Sequence, residues 1–259
     1  MTFFSGSFCG LPPDPAELWA RWTLDPLLLL ALSATALGYC SLASRRGLSR
    51  TERIWFAVGF ALLTLALVSP LCALSVSLFS ARVAQHMVLT LVAAPMLALG
   101  GAAVLAPAFL KRRFAWLARP LPAALVFAAL IWFWHAPAPY AATFDNKPIY
   151  WLMHLSLIVS AVLLWRALLC DERRHAGGAL AAGIISTVQM SLLGAILTFA
   201  NAPAFALHFA TAGAWGFDPL VDQQLGGVIM WGPGCMAFLL SLAGPVRALL
   251  RDEFAAAAS

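Results

Sequence analysis

The chain is arranged around one stretch, Arg82-Val-Ala-Gln85-His86-Met87-Val-Leu-Thr90, where a long apolar run begins with polar side chains. Arg82, His86 and Thr90 follow one another at intervals of four residues, so in a helix they share one face. The next ten residues, Leu-Val-Ala-Ala-Pro-Met-Leu-Ala-Leu-Gly, are apolar enough to enter a bilayer. A histidine one turn inside a membrane helix is costly unless something uses or satisfies it. The sequence therefore predicts that other polar groups meet His86.

The composition of the whole chain predicts an integral membrane protein. Of its 259 residues, 62% are hydrophobic and only 10% are charged, whereas ordinary globular proteins carry roughly 25% charged residues. A soluble domain could not hide this much apolar surface, so we expect a lipid bilayer around it. The formal net charge of +5 does not indicate a nucleic-acid partner, because the basic residues lie between hydrophobic runs and are better explained by topology.

Seven apolar runs are close to the length that spans a bilayer, which predicts an all-α bundle of seven transmembrane helices. These runs are 26–43, 54–72, 83–100, 121–137, 150–169, 179–200 and 224–244. We expect residues 1–25 to be a periplasmic N-terminal segment without a cleavable signal peptide, 26–245 to be the transmembrane domain and 246–259 to be a cytoplasmic tail. Segment 101–119 has two readings: it continues the third span, or it lies along the interface.

Basic residues are distributed very unevenly between the two sides of this bundle. Thirteen of the 16 Lys and Arg residues fall on one side: Arg45, Arg46, Arg50, Arg53, Lys111, Arg112, Arg113, Arg119, Arg166, Arg173, Arg174, Arg247 and Arg251. Only Arg21, Arg82 and Lys147 remain for the other side. Short cytoplasmic connections carry the positive charge, so we predict the N-terminus outside and the C-terminus in the cytoplasm.

Three of the five histidines fall at a similar depth near the predicted outer boundary. His86 is one turn into the third helix, His135 ends the fourth, and His154 is one turn into the fifth. His208 belongs to a long outer loop, and His175 is cytoplasmic. We predict that His86, His135 and His154 form one metal site. The alternative is three histidines satisfied separately by backbone carbonyl groups.

The residues of this cluster leave the metal open among several transition metals. Imidazole suits zinc, copper, iron and nickel, while thioether ligands select Cu(I). Met87 and Met153 are sequence neighbours of the histidines, and Met230 follows in the seventh helix. These methionines are candidate additional ligands, although methionine is also a common filler of apolar gaps.

Polar residues close to these histidines in the predicted bundle are candidates for supporting roles. Asp222, Gln223 and Gln224 begin the seventh helix, where they could cap the helix or orient imidazole N–H groups. Gln85 flanks the face that carries His86. Arg82 could ease release of a bound cation, or extend to the interface with its charged end in water.

The five cysteines form no Cys-x-x-Cys motif. Cys9 and Cys72 both fall on the predicted outer side and could pair. Because the five cysteines are scattered along the chain, we expect two unlinked thiols.

An ordered set of motifs resembles the CtaG family, multi-spanning bacterial membrane proteins associated with assembly of cytochrome c oxidase. The set is Gln85-His86-Met87 with Pro95, Trp134-His135-Ala-Pro137 with Tyr140, His154, and Asp222-Gln223-Gln224-x-Gly226-Gly227-x-x-Met230-Trp231. The resemblance covers roughly residues 80–245. It implies a multi-pass protein of the bacterial inner membrane that takes part in oxidase maturation.

From the residues and the resemblance together, we expect a non-enzymatic assembly factor that binds Cu(I) near its periplasmic face and delivers it to the oxidase. Its partners would be oxidase subunits or another copper carrier. Two alternatives remain open at this point. One is a haem-binding redox protein that uses two of the histidines as axial ligands, and the other is a copper permease.

Overall fold

The computed structural model describes residues 7–170 and 175–257, and within these ranges the chain is helical with no strand. After a 3-10 turn at Pro15–Ala20, the first helices are α1 (Pro26–Arg45), α2 (Arg50–Val68) and α3 (Pro70–Ser77). Then come α4 (Phe79–Met87), a π-helical segment (Val88–Ala93), α5 (Ala94–Leu99), α6 (Ala108–Arg113), α7 (Pro120–Trp134) and α8 (Pro137–Asp145). The last are α9 (Lys147–Leu169), α10 (Ala176–Thr198), α11 (Pro219–Ser241) and α12 (Ala243–Ala257).

Six helical stretches of the described chain are long and apolar enough to cross a membrane. They are Pro26–Arg45, Arg50–Val68, Phe79–Leu99, Lys147–Leu169, Ala176–Thr198 and Pro219–Arg251. The pair α7 and α8 makes a seventh if it counts as one span, and it bends by 72° at its break. The prediction of an all-α membrane bundle is therefore confirmed, and the count of seven holds with this bent pair included.

Proline and capping residues account for several helix boundaries. Asp25 accepts a hydrogen bond from the backbone N–H of Leu28 at the start of α1, and Ser49 with Glu52 forms a capping box at the start of α2. Pro137 separates α7 from α8, because the residue before a proline is disfavoured in helical conformation. Ala136 is accordingly extended, with ψ of 140°.

Segment 101–119, for which two readings were open, does not continue the third span as a helix. It consists of short pieces, Ala102–Leu105, α6 and Ala115–Ala118, without a buried residue in any of them. The predicted tail at 246–259 is helical as far as Ala257, as part of α12. Arg173 and Arg174, counted in the charge asymmetry, lie outside the described residues.

Cys9 and Cys72 are joined by a disulfide bond, so the expectation of two unlinked thiols was wrong. The two residues are 63 positions apart in the sequence, and only the packing of the N-terminal segment against α3 brings them together. The bond ties residues that precede α1 to the part of the bundle from which α4 begins.

Candidate metal site

The structure brings His86, His135 and His154 together from α4, the end of α7 and α9. The ring centroid of His86 lies 5.9 Å from that of His135 and 5.4 Å from that of His154, both with edge-to-face geometry. All three side chains are buried, with at most 5% of their surface exposed. The three imidazoles that equal depth placed together are therefore neighbours, and the metal site itself stays a prediction.

Backbone carbonyl groups fix the tautomers of two of these imidazoles. Nδ1 of His135 lies 2.8 Å from the carbonyl oxygen of Ile131, and Nδ1 of His154 lies 3.0 Å from that of Tyr150. A carbonyl oxygen can only accept a hydrogen bond, so each Nδ1 carries the hydrogen and donates it. The lone pair of each ring is then on Nε2, which is the arrangement found in many metal-ligating histidines.

His86 has no hydrogen bond on either ring nitrogen, and Nε2 of His154 also has none. Buried polar atoms without partners are rare in folded proteins, and each calls for an explanation. Within residues 7–170 and 175–257, no three His, Cys, Asp or Glu side chains already stand in a metal-binding arrangement. The three imidazoles are thus neighbours that would have to close around an ion.

Hydrogen bonds between helices hold this part of the bundle together. Nε1 of Trp134, next to His135, donates to Oγ of Ser156 on α9 at 2.9 Å. On the same helix, Nε1 of Trp165 donates to the carbonyl oxygen of Thr90 at 2.7 Å. Thr90 lies in the π-helical segment and its hydroxyl donates to the carbonyl oxygen of His86. Pro95 lacks a backbone N–H and so cannot make the usual bond back to residue 91, which favours the wider turn here.

Asp222 caps α4 and makes no hydrogen bond to an imidazole. Its carboxylate accepts from the backbone N–H of Phe79 at 2.7 Å, from the backbone N–H of Ser80 at 3.1 Å and from the Ser80 hydroxyl. The side chain is fully buried. Two roles were considered from the sequence, and Asp222 takes the first, that of a helix cap. It caps α4, the helix that carries Arg82 and His86, and not α11, to which it belongs.

The three glutamines that were candidates for supporting roles bind backbone groups. Gln85 donates to the carbonyl oxygen of Ala66 on α2 at 2.7 Å. Gln223 accepts from the backbone N–H of Ala204 at 2.6 Å, and Gln224 donates to the carbonyl oxygen of Ala200 at 3.1 Å. These contacts fix α4 against α2, and the loop after α10 against α11.

Arg82 is buried and does not extend to the interface. Only 1% of its surface is exposed, and its guanidinium carbon lies 4.4 Å from the ring centroid of Phe144 and 5.6 Å from that of Tyr150. Its Nε lies 3.4 Å from the carbonyl oxygen of Ser75, a long hydrogen bond. The guanidinium is close enough to His86 and His154 for its positive charge to act on both rings.

Met87, Met153 and Met230 are all buried in the main apolar core. That position suits ordinary packing, and their role as ligands stays a prediction. Sequence reasoning missed Tyr150, whose ring lies against that of His154 with centroids 4.2 Å apart. Its spacing of four residues from His154 on α9 is the signal that could have found it.

His208 belongs to a separate polar network at the same end of the bundle. Its Nδ1–H donates to the carbonyl oxygen of Ser77 at 3.1 Å, so its Nε2 accepts from the hydroxyl of Tyr140 at 2.6 Å. Burial is the main cause that lowers the pKa of His208 to about 3. The imidazole is therefore neutral at physiological pH.

Residues 35–252 match the family described as cytochrome c oxidase caa3 assembly factor (Caa3_CtaG). No curated protein and no solved structure matches the chain. The family match covers most of the chain, including every helix that contributes to the histidine cluster. The chain therefore belongs to the Caa3_CtaG family of cytochrome c oxidase assembly factors.

Proposed function

We propose that this protein binds Cu(I) through His86, His135 and His154 and passes it to the oxidase that it helps to assemble. The main support for this proposal is a set of buried imidazole nitrogens without a hydrogen-bond partner. They are both ring nitrogens of His86 and Nε2 of His154. Burying polar nitrogen atoms without hydrogen bonds costs free energy. A metal cargo would bind the lone pair of Nε2 of His154 and that of the unprotonated nitrogen of His86, and so remove part of that cost.

The donor set suits copper as a cargo. Neutral imidazole is a good ligand for copper, and His135 and His154 already have the tautomer that leaves Nε2 available. His86 makes no hydrogen bond through its ring, so it can turn towards an ion without breaking one. Imidazoles without a thiolate favour a transient site, which fits delivery better than storage.

Arg82 would assist release. Its buried positive charge acts on His86 and His154, and a like charge nearby raises the free energy of a bound cation. The guanidinium therefore weakens copper binding at this site and favours transfer to a partner. That partner would be an oxidase subunit or another copper carrier, and the protein itself would perform no covalent chemistry.

Two features support a periplasmic position for the site in the bacterial inner membrane. The basic residues are concentrated in the connections at the opposite end of the bundle, which is the pattern of a cytoplasmic side. The Cys9–Cys72 disulfide is at the same end as the histidines, and disulfides persist in oxidising compartments such as the periplasm.

The alternatives fit the geometry less well. Axial haem ligands face each other across the plane of the macrocycle, whereas the rings of His86 and His154 are in edge-to-face contact at 5.4 Å. A permease would need metal-binding groups along the whole membrane depth, and the three clustered imidazoles lie at one end of their helices.

The test in cells is deletion of the gene followed by complementation. Deletion should lower oxidase activity while the oxidase polypeptides are still made, and added copper should restore part of the activity. Wild-type protein should complement fully, His86→Ala should not, and His175→Ala is the matched control that should. Normal oxidase activity in the deletion strain under low copper would contradict the proposal.

A further inference from the structure

The disulfide between Cys9 and Cys72 lies beside the histidine cluster. Both residues are buried, with 6% and 0% of their surfaces exposed, and their Cα atoms are 5.4 Å apart. Cys72 belongs to α3, whereas Cys9 lies in an irregular segment before α1. At this Cα–Cα distance, small side-chain rotations would let both sulfur atoms bind a single metal ion.

Tyr150 connects the sulfur atoms to the histidines. Its hydroxyl oxygen lies 3.4 Å from Sγ of Cys9 and 3.6 Å from Sγ of Cys72. The same residue packs its ring against that of His154 and accepts the Nδ1–H of His154 at its carbonyl oxygen. One side chain therefore separates the cysteine pair from the candidate copper ligands.

The cysteine pair offers the ligand chemistry that the histidines lack. Thiolate is a soft ligand that selects Cu(I), and two thiolates hold it more tightly than neutral imidazoles. The pair cannot be recognised from its spacing in the sequence, because the two cysteines meet only in the folded chain. Phe8, the neighbour of Cys9, stacks on Tyr150 at 5.1 Å and contacts Trp151 at 4.8 Å, so the N-terminal segment covers this side of the cluster.

We propose that, when reduced, Cys9 and Cys72 form a second Cu(I) site next to the histidine cluster, and that the disulfide is the closed form of this site. The inference rests on the proposed copper function and adds a point at which copper is first captured. Copper would move from the thiolates past Tyr150 to the imidazoles once the two thiolates take up protons, because a thiol binds Cu(I) much more weakly than a thiolate. Because Cys9 is outside any helix, it can move away from Cys72 once the bond is broken.

The redox chemistry of this cycle balances with a dithiol as the reductant. A thiolate of the dithiol attacks one sulfur of the Cys9–Cys72 bond and forms a mixed disulfide with it. The second thiolate of the dithiol then attacks this mixed disulfide and releases the cysteine. The products are two cysteine thiols in this chain and a disulfide in the donor. Binding of Cu(I) displaces the two thiol protons without any electron transfer, and the thiolates regain protons when copper leaves. A disulfide-bearing oxidant that accepts two electrons and two protons closes the bond again.

The test uses the full-length protein in detergent, with Cys40, Cys170 and Cys235 replaced by Ser so that only the pair remains. Oxidised and dithiol-reduced samples are titrated with Cu(I) buffered by a chelator, and alkylation with mass measurement confirms the state of the thiols. We expect the oxidised protein to bind one Cu(I) with nitrogen neighbours only. The reduced protein should bind one more, with sulfur neighbours in X-ray absorption spectra.

Two variants in this background separate the inference from the function on which it rests. Cys9→Ser should abolish the additional Cu(I) and the sulfur signal under reducing conditions, without changing binding by the oxidised protein. His86→Ala should abolish Cu(I) binding by the oxidised protein and leave the additional Cu(I) of the reduced protein in place. If the oxidised His86→Ala protein binds Cu(I) as before, that result contradicts the histidine site and leaves the cysteine site standing. The inference is wrong if reduced protein binds no more Cu(I) than oxidised protein, if sulfur is absent from the copper environment, or if the bond resists reduction in the folded protein.

Discussion

Replacing Asp222 with Asn should destabilise the bundle while leaving copper affinity almost unchanged. The buried carboxylate accepts three hydrogen bonds at the start of α4, from the backbone of Phe79 and from the backbone and hydroxyl of Ser80. The amide keeps one acceptor oxygen and presents an N–H₂ group to a donor. A hydrogen bond to a charged group contributes about 1.5–3 kcal/mol, and a charge at a partly buried helix terminus contributes up to about 2 kcal/mol.

The neutral amide is less costly to bury than a carboxylate, which offsets part of this loss, so we expect a net cost of about 2 kcal/mol. For a chain of this size, that lowers the midpoint of thermal unfolding by about 4–8 °C. The assay is circular dichroism of purified protein in detergent. The matched control is Asp218→Asn on the same helix, because Asp218 is an exposed N-cap of α11 and Asn caps a helix nearly as well. Equal midpoints for the two variants, or a loss of copper affinity in Asp222→Asn without a shift in midpoint, would refute this role.

Three further changes test other parts of the structure. A Cβ atom at Gly227 would lie 2.7 Å from the carbonyl oxygen of residue 194, so Gly227→Ala should destabilise the packing of α10 on α11 by about 1–3 kcal/mol. Gly232 has open space around it, so Gly232→Ala should be neutral or stabilising in the same thermal assay. A topology reporter fused after Ser259 should be active in the cytoplasm and one inserted at Lys147 in the periplasm; the opposite pattern would contradict the orientation. The unfolded chain protonates His208 near about pH 6.5 but the folded chain only near pH 3, so the free energy of unfolding should fall as pH decreases through this window, and His208→Gln should reduce that dependence.

The helices and the histidine cluster follow from local properties of the sequence. Long apolar runs determine the spans, and the equal depth of His86, His135 and His154 is enough to predict that they meet when neighbouring helices pack in antiparallel pairs. Some boundaries were missed for a physical reason. The predicted span 54–72 is interrupted at Ser69, which is extended before Pro70, and a hydropathy average does not register a single residue.

The partners of Asp222 and the pairing of Cys9 with Cys72 could not be predicted in the same way. Asp222 binds residues 142 and 143 positions away, and its place near a helix start made a local cap the natural expectation. The cysteines are 63 positions apart, and one of them is in an irregular segment. Such contacts depend on how whole helices pack, because hydrophobic periodicity fixes the buried face of a helix but not its neighbour.

The most direct test of the copper site is Cu(I) titration of purified protein with its disulfide intact, combined with X-ray absorption spectroscopy. We expect one Cu(I) per chain with nitrogen neighbours. His86→Ala, His135→Ala and His154→Ala should each lower the affinity by more than the roughly 10–100-fold that loss of a supporting partner costs, and His175→Ala should bind as the wild type does. Wild-type stoichiometry and affinity in all three cluster variants would show that no shared site exists and that the three buried histidines serve packing alone.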